Sequence, residues 1–151
     1  MTSNRHSARG FTLVEMSVVI LILGLIMGFS IPAFVKLNKT VQLKGTVQNL
    51  ANQLQLARQT AIATGSPQTV HLYQGTFGVD YHLHNPGKPP SAHWKFPSGV
   101  TYLWSGGTLS GQMVIMKADG RADRSGMVIL QSVSGLRDTV NVQLSGLVLQ
   151  Q

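Results

Sequence analysis

The carboxylate of Glu15 is the side chain whose position most needs a chemical explanation. It precedes an apolar run over residues 16–31 that only serine and glycine interrupt, and an ionised side chain inside hydrocarbon costs about 2.5–3.5 kcal/mol on insertion scales. A nearby cation would offset that cost. If the chain were cut after Gly10, the new α-amino group of Phe11 would lie four residues from Glu15, in the same subunit or facing it from a neighbour. A cut between Gly10 and Phe11 would therefore supply the cation that Glu15 lacks.

The other acids and the cysteine count offer nothing for catalysis. The acids outside the apolar segment are Asp80, Asp119, Asp123 and Asp138. The sequence has no Gly-x-Ser-x-Gly elbow and no glycine-rich loop before a helix. Because it has no cysteine, thiol catalysis, cysteine-ligated zinc and a disulfide framework are excluded. We predict that the chain is not an enzyme and needs no cofactor.

Three histidines have a spacing that could ligate a metal. His71 lies in one predicted strand, His82 and His84 lie in the next, and the alternation puts them on one face of a hairpin. Solvated strand histidines are the commoner explanation, since no cysteine, glutamate or fourth histidine adjoins them in sequence. Residues 119–124 contain two acids but lack the spacing of an EF-hand loop. We therefore predict no metal site.

The charge balance is basic, with a formal net charge of +7. This charge is compatible with docking on anionic lipid or acidic partners, and it does not by itself indicate nucleic-acid binding. Aromatic residues near Lys88 and Lys95 could stack on single-stranded nucleic acid, although core and loop-anchoring aromatics are commoner. The candidate contacts to DNA or another ligand are four basic residues, Lys117, Arg121, Arg124 and Arg137.

The apolar segment is long enough to cross a membrane. Together with residues 11–15 it reaches roughly 20 residues, which as a helix spans a ~30 Å hydrocarbon core. A secretory signal peptide would have a shorter apolar region followed by a small-x-small cleavage site. A simple signal anchor would explain the span, but it would explain neither Glu15 nor the Gly10-Phe11 junction. Basic residues flank the segment on both sides, so charge alone leaves the orientation open.

Beyond Pro32 the apolar residues recur at helical spacing. Intervals of three and four dominate, which is typical of an amphipathic helix. The helix should end near Gly65-Ser66-Pro67, because glycine favours the C-cap and proline cannot continue a helix. We predict one helix over residues 11–64 with a bend at Pro32; two helices broken at Pro32 are the alternative. The predicted apolar stripe is Phe34, Leu37, Val41, Val47, Leu50, Ala51, Leu54, Ala57, Ala61 and Ile62.

From Pro67 onward the pattern changes to short alternating runs. Glycine, proline and serine separate these runs, as in antiparallel strands. The predicted strands are residues 70–72, 77–83, 100–104, 112–116, 127–131, 139–144 and 147–149, with a hairpin turn at 74–76 and a proline-rich loop at 85–91. One face of this meander-like sheet must be covered, and the nearest apolar surface is the helix stripe. The predicted fold class is α+β, a long N-terminal helix packed against an antiparallel β-sheet domain.

Two segments resemble a known family. Gly10-Phe11-Thr12-Leu13-Val14-Glu15, preceded by the basic residues Arg5, His6 and Arg9, resembles the cleavage and N-methylation site of type IV pilins and type II secretion pseudopilins. Residues 54–65 (LQLARQTAIATG) resemble the distal helix of the minor pseudopilin H family. This resemblance implies the pilin fold. It also implies a cytoplasmic leader at 1–10, a transmembrane and filament-core helix at 11–31, its amphipathic continuation at 32–64 and a periplasmic β-rich domain at 67–151.

The resemblance implies a role as a filament subunit. A prepilin peptidase would cut after Gly10 and methylate Phe11, and Glu15 would act in assembly. The expected protein is a minor pseudopilin of a type II secretion pseudopilus, active in protein export across the outer membrane. It would be a single-pass inner-membrane protein, with other minor and major pseudopilins and the inner-membrane assembly platform as partners. The alternative is a type IV pilus minor pilin that binds DNA or another ligand through the four basic residues.

Overall fold

The computed structural model describes residues 10–73, 81–85, 87–90, 92–103 and 112–150. Most of the predicted leader, the predicted turn at 74–76 and the end of the predicted strand at 100–104 lie outside these residues. The chain divides into two compact units, Met1–Leu37 (the N-terminal unit) and Asn38–Gln151 (the C-terminal unit).

Helix α1 spans Leu13–Thr64 and contains Pro32. The alternative of two helices broken at Pro32 is therefore wrong, whereas the bend at this residue stays a prediction. The helix ends where the sequence predicted. Gly65 follows it with a φ of 62°, the left-handed conformation that glycine adopts after a helix without steric cost.

Eight strands form two antiparallel sheets in the described part of the chain. The first sheet has the order β3-β2-β1-β5, and the second has the order β4-β6-β7-β8. The α+β class is thus confirmed. The strands are β1 Gln68–Leu72, β2 Tyr81–His84, β3 Ala92–Trp94, β4 Val100–Leu103, β5 Met113–Met116, β6 Gly126–Ser132, β7 Arg137–Val142 and β8 Val148–Gln150.

The sheet arrangement corrects two expectations. A single meander is wrong, because β5 pairs with β1 while β4 pairs with β6. Consecutive strands β4 and β5 therefore belong to different sheets. Strand β3 was not predicted, since its three residues follow a proline-rich stretch and show no alternation of their own. It forms by pairing with β2, where His93 lies opposite His82.

The hydrophobic core of the C-terminal unit contains side chains from α1 and from both sheets. Leu50, Leu54, Ala57 and Ala61 are fully buried, which confirms this part of the predicted stripe. The buried stripe is nevertheless shorter than predicted, since it begins at Leu43, a residue that the predicted stripe did not include. Four members of the predicted stripe are exposed, namely Phe34, Leu37, Val41 and Ile62.

A hydrogen bond from the helix holds the β5–β6 connection. The Arg58 guanidinium donates from Nε to the backbone carbonyl of Gly120 over 2.8 Å. A Cβ on Gly146 would overlap the oxygen of this carbonyl, and Gly146 has a φ of 78°, a conformation that favours glycine. Only glycine meets both demands, so this close approach ties α1 to two turns of the β domain.

Candidate processing and assembly site

The predicted cleavage site lies just before helix α1. Gly10, Phe11 and Thr12 are not helical, and the Phe11 side chain is 79% exposed. A Cβ added at Gly10 would meet no atom within 4 Å. Nothing in the described chain therefore requires glycine at this position, so a requirement for glycine would arise in a binding partner such as a peptidase.

The backbone of Glu15 takes part in a helix cap that was not predicted from the sequence. Its backbone N–H donates to Thr12 Oγ1 over 3.1 Å, so Thr12 caps the helix. The spacing Thr12-x-x-Glu15 is that of a capping box, and this spacing could have revealed the cap. A carboxylate in the first turn is also favoured by the positive end of the helix dipole, by about 0.3–1 kcal/mol in exposed positions. This gain offsets part of the cost of placing the charge before the apolar segment.

The helix of the N-terminal unit carries an apolar surface that is exposed among the described residues. An 18-residue window of α1 has a mean hydropathy of 2.7, and none of it is buried. Side chains such as Leu13 and Phe29 are mostly exposed. By length and composition this part of α1 can cross a membrane. The apolar helix and the segment before it fit a membrane anchor.

The structure brings two of the four candidate basic residues to one carboxylate. Lys117 Nζ lies 3.4 Å from Asp123 Oδ1, and Arg124 Nε lies 3.5 Å from Asp123 Oδ2. Both pairs are largely solvent-exposed, so each contributes about 0–1 kcal/mol. Arg121 lies in the same β5–β6 connection, where its backbone N–H donates to Asp119 Oδ1 over 2.9 Å. Asp123 thus neutralises part of the positive charge of this connection.

Arg137 lies away from the other three basic residues. Arg137 is the first residue of β7 and lies opposite Gln131, near the end of β6. The β5–β6 connection, which carries the other three, leads into the start of β6, where Gly126 pairs with Val142. Five strand positions separate these two ends, or roughly 17 Å at about 3.4 Å per residue. The fold therefore does not join all four basic residues into one patch.

The three strand histidines, in contrast, lie together. The ring centroid of His71 is 5.0 Å from that of His82 and 4.9 Å from that of His84. The expectation of solvated histidines is wrong for His82, which is only 8% exposed. Burial, and then the neighbouring imidazoles, lower the pKa of His82 below its usual 6.5; burial and His84 do the same to the pKa of His71.

Comparisons with known proteins agree with this geometry. Residues 5–31 match the family model described as a prokaryotic N-terminal methylation motif. The fold is similar to that of the type IV minor pilin FimU from Pseudomonas aeruginosa, with a TM-score of 0.60 at 12% identity, covering 74% of this chain and 90% of that one. The chain is pilin-like in its fold and in its N-terminal methylation motif.

A second solved structure represents the other filament class. The pilin-like chain is similar to the minor pseudopilin EpsH of the type 2 secretion system of Vibrio cholerae, with a TM-score of 0.57 at 14% identity, covering 73% of this chain and 96% of that one. A further crystal form of FimU gives a TM-score of 0.56 at 12% identity, covering 72% of this chain and 92% of that one. No curated protein matches the chain. At these identities the likeness concerns the fold, which pilus and secretion subunits share.

Proposed function

We propose that this chain is a structural minor pseudopilin of a type II secretion pseudopilus and takes part in protein export across the outer membrane. The observation that carries the proposal is the methylation motif at residues 5–31, placed on an exposed apolar helix in a chain with the pilin fold. The chain acts by packing against other subunits and has no enzymatic role.

Processing is the first step of the proposed function. A prepilin peptidase hydrolyses the peptide bond between Gly10 and Phe11 and methylates the new amine of Phe11, which stays cationic at neutral pH. The exposed, non-helical segment in front of α1 supports access to this bond.

Assembly is the second step. Before assembly, lipid of the inner membrane covers the apolar surface of the N-terminal unit, with the C-terminal unit in the periplasm. The assembly platform delivers the subunit to the filament. There the same surface packs against the helices of other pseudopilins. Glu15 then pairs with the Phe11 amine of a neighbouring subunit, and this pairing sets the axial register of the subunits.

Several observations bear on the choice between a pseudopilin and a pilus subunit. The chain has no cysteine, and the family resemblance associates a C-terminal disulfide with many major pilins, which favours a minor subunit of either filament. Residues 54–65 resemble the distal helix of the pseudopilin H family. The likeness to FimU supports the second candidate, a type IV pilus minor pilin. DNA binding by that candidate would use the four basic residues, of which Arg137 lies apart from the three in the β5–β6 connection. Two of those three, Lys117 and Arg124, already pair with Asp123.

Substitution of Gly10 tests the processing step. We expect Gly10→Val to block cleavage when the chain is expressed with its prepilin peptidase, because the branched side chain would not fit the pocket for the residue before the cut. Gly28→Val is the matched control, since a Cβ at either glycine meets nothing in the chain. Mass spectrometry should show only precursor for the first variant and methylated product for the second. Efficient maturation of Gly10→Val would contradict the proposal.

Two substitutions of Glu15 separate capping from charge pairing. Gln keeps a polar side chain that suits the third position of a capping box but carries no charge, whereas Leu keeps only the backbone N–H that donates to Thr12. We expect Glu15→Gln and Glu15→Leu to insert into the membrane and to be poorly incorporated into sheared filaments. Normal incorporation of Glu15→Gln would show that the charge is dispensable.

Deletion of the gene in its source bacterium separates the two filament classes. Loss of an exported protein indicates a pseudopilin, and loss of pili indicates a pilus subunit.

A further inference from the structure

Four of the five histidines in the chain lie on neighbouring strands of the first sheet. His71 on β1 is directly opposite His82 on β2, and His82 is in turn opposite His93 on β3. His84 lies two residues beyond His82, so it is on the same face of β2. The intervening residues Val70, Leu72, Tyr81 and Leu83 are buried in the core. The histidine cluster therefore occupies the face of the sheet opposite the core.

Three of these imidazoles have the spacing of metal ligands. His71, His82 and His84 each offer one nitrogen, and these nitrogens all lie within 4.8 Å of one another. Nitrogens bound at about 2.0–2.1 Å to one tetrahedral ion are about 3.3 Å apart. Rotation of the His71 and His82 rings about their side-chain torsions would shorten these separations while the strands keep their observed pairing.

The hydrogen bond of His84 prepares it as a ligand. Its Nδ1 lies 2.7 Å from the backbone carbonyl oxygen of Asn85. A carbonyl oxygen only accepts, so Nδ1 carries the proton and donates it, and the lone pair is left on Nε2. Metal-binding histidines commonly donate their second ring nitrogen in this way, which fixes both the tautomer and the ring orientation.

The chemistry of the three ligands selects the class of metal. Imidazole nitrogen suits Zn²⁺, Cu²⁺ and Ni²⁺, whereas Ca²⁺ and Mg²⁺ require oxygen ligands. We infer that His71, His82 and His84 bind one divalent transition-metal ion, represented by Zn²⁺, that bridges β1 and β2 with its fourth position open to water. This inference replaces the sequence-based expectation of no metal site, and it holds whichever filament contains the chain.

Zinc titration of the full chain tests the inference. The protein is purified in detergent with a histidine-free tag, stripped of metal with a chelator and titrated with Zn²⁺ in a calorimeter, with Ca²⁺ as the control ion. We expect one Zn²⁺ per chain, no binding of Ca²⁺, and visible absorption bands of a four-coordinate ion when Co²⁺ replaces Zn²⁺. Absence of saturable Zn²⁺ binding would overturn the inference.

Single substitutions assign the ligands. His82 is buried, so the variants are His71→Gln and His84→Asn, of which the second keeps a donor near the position of Nδ1. Each should weaken Zn²⁺ binding by about tenfold or more and abolish the Co²⁺ bands, with an unchanged circular dichroism spectrum. His93→Gln is the matched control and should bind as the unaltered chain does, because His93 is exposed and lies outside the three-residue group. Full affinity in both ligand variants, or an equal loss in the control, would refute the assignment.

Discussion

Replacement of Leu54 by alanine tests whether helix α1 is part of the core of the C-terminal unit. Leu54 is fully buried, whereas Leu56, two residues further along the same helix, is 46% exposed. The Leu54 side chain is in the core cluster that also contains residues of both sheets. Its truncation loses the transfer free energy of the removed carbons and leaves a cavity, which together cost about 2–5 kcal/mol. The Leu56→Ala variant changes the same atoms on the surface and should cost about 0.5 kcal/mol or less.

Urea unfolding of a fragment comprising residues 38–151 measures this difference. With a slope of about 2 kcal/mol per molar, Leu54→Ala should lower the unfolding midpoint by about 1–2.5 M and Leu56→Ala by about 0.25 M or less. The first loss is a large fraction of the ~5–15 kcal/mol that stabilises a typical domain. Equal midpoints for the two variants would refute the packing of α1 described above, because only burial distinguishes the two leucines.

Three further predictions concern the same unit. A fragment of residues 65–151 should show no cooperative thermal transition by circular dichroism, because it lacks the helix that covers the sheets; a transition matching that of the longer fragment would contradict this. Gly146→Ala should lower the melting temperature, since its Cβ would overlap the Gly120 carbonyl, whereas Gly45→Ala in the helix should gain about 0.5–1 kcal/mol. The pKa of His82 is lowered in the folded chain, so as the pH falls the unfolded chain binds a proton before the folded chain does. The free energy of unfolding of the metal-free chain should therefore decrease as the pH drops through about 6.5; a melting temperature that does not change over this pH range would contradict the prediction.

The glutamate at the start of the helix shows how far local sequence can be taken. The apolar run, the Gly10-Phe11 junction and Glu15 are contiguous, so a membrane-spanning segment and a processing site could be predicted without any tertiary information. The Thr12 cap was also within reach, because Thr12-x-x-Glu15 is a local spacing. The proposed requirement for glycine at residue 10 is different. The described chain leaves this position open, so only a partner can impose it.

The long helix, its end at Thr64, most of the strands and the buried stripe from Leu50 to Ala61 could be predicted from local patterns, because helical and strand periodicities act between residues close in the chain. The division of the strands into two sheets and the presence of β3 could be learned only from the fold. The same holds for the meeting of His71, His82 and His84 and for the separation of Arg137 from the other basic residues. Alternation tells which face of a strand is apolar, but not which strand lies beside it. That choice depends on pairing between distant segments and on burial against the helix, which are properties of the whole folded unit.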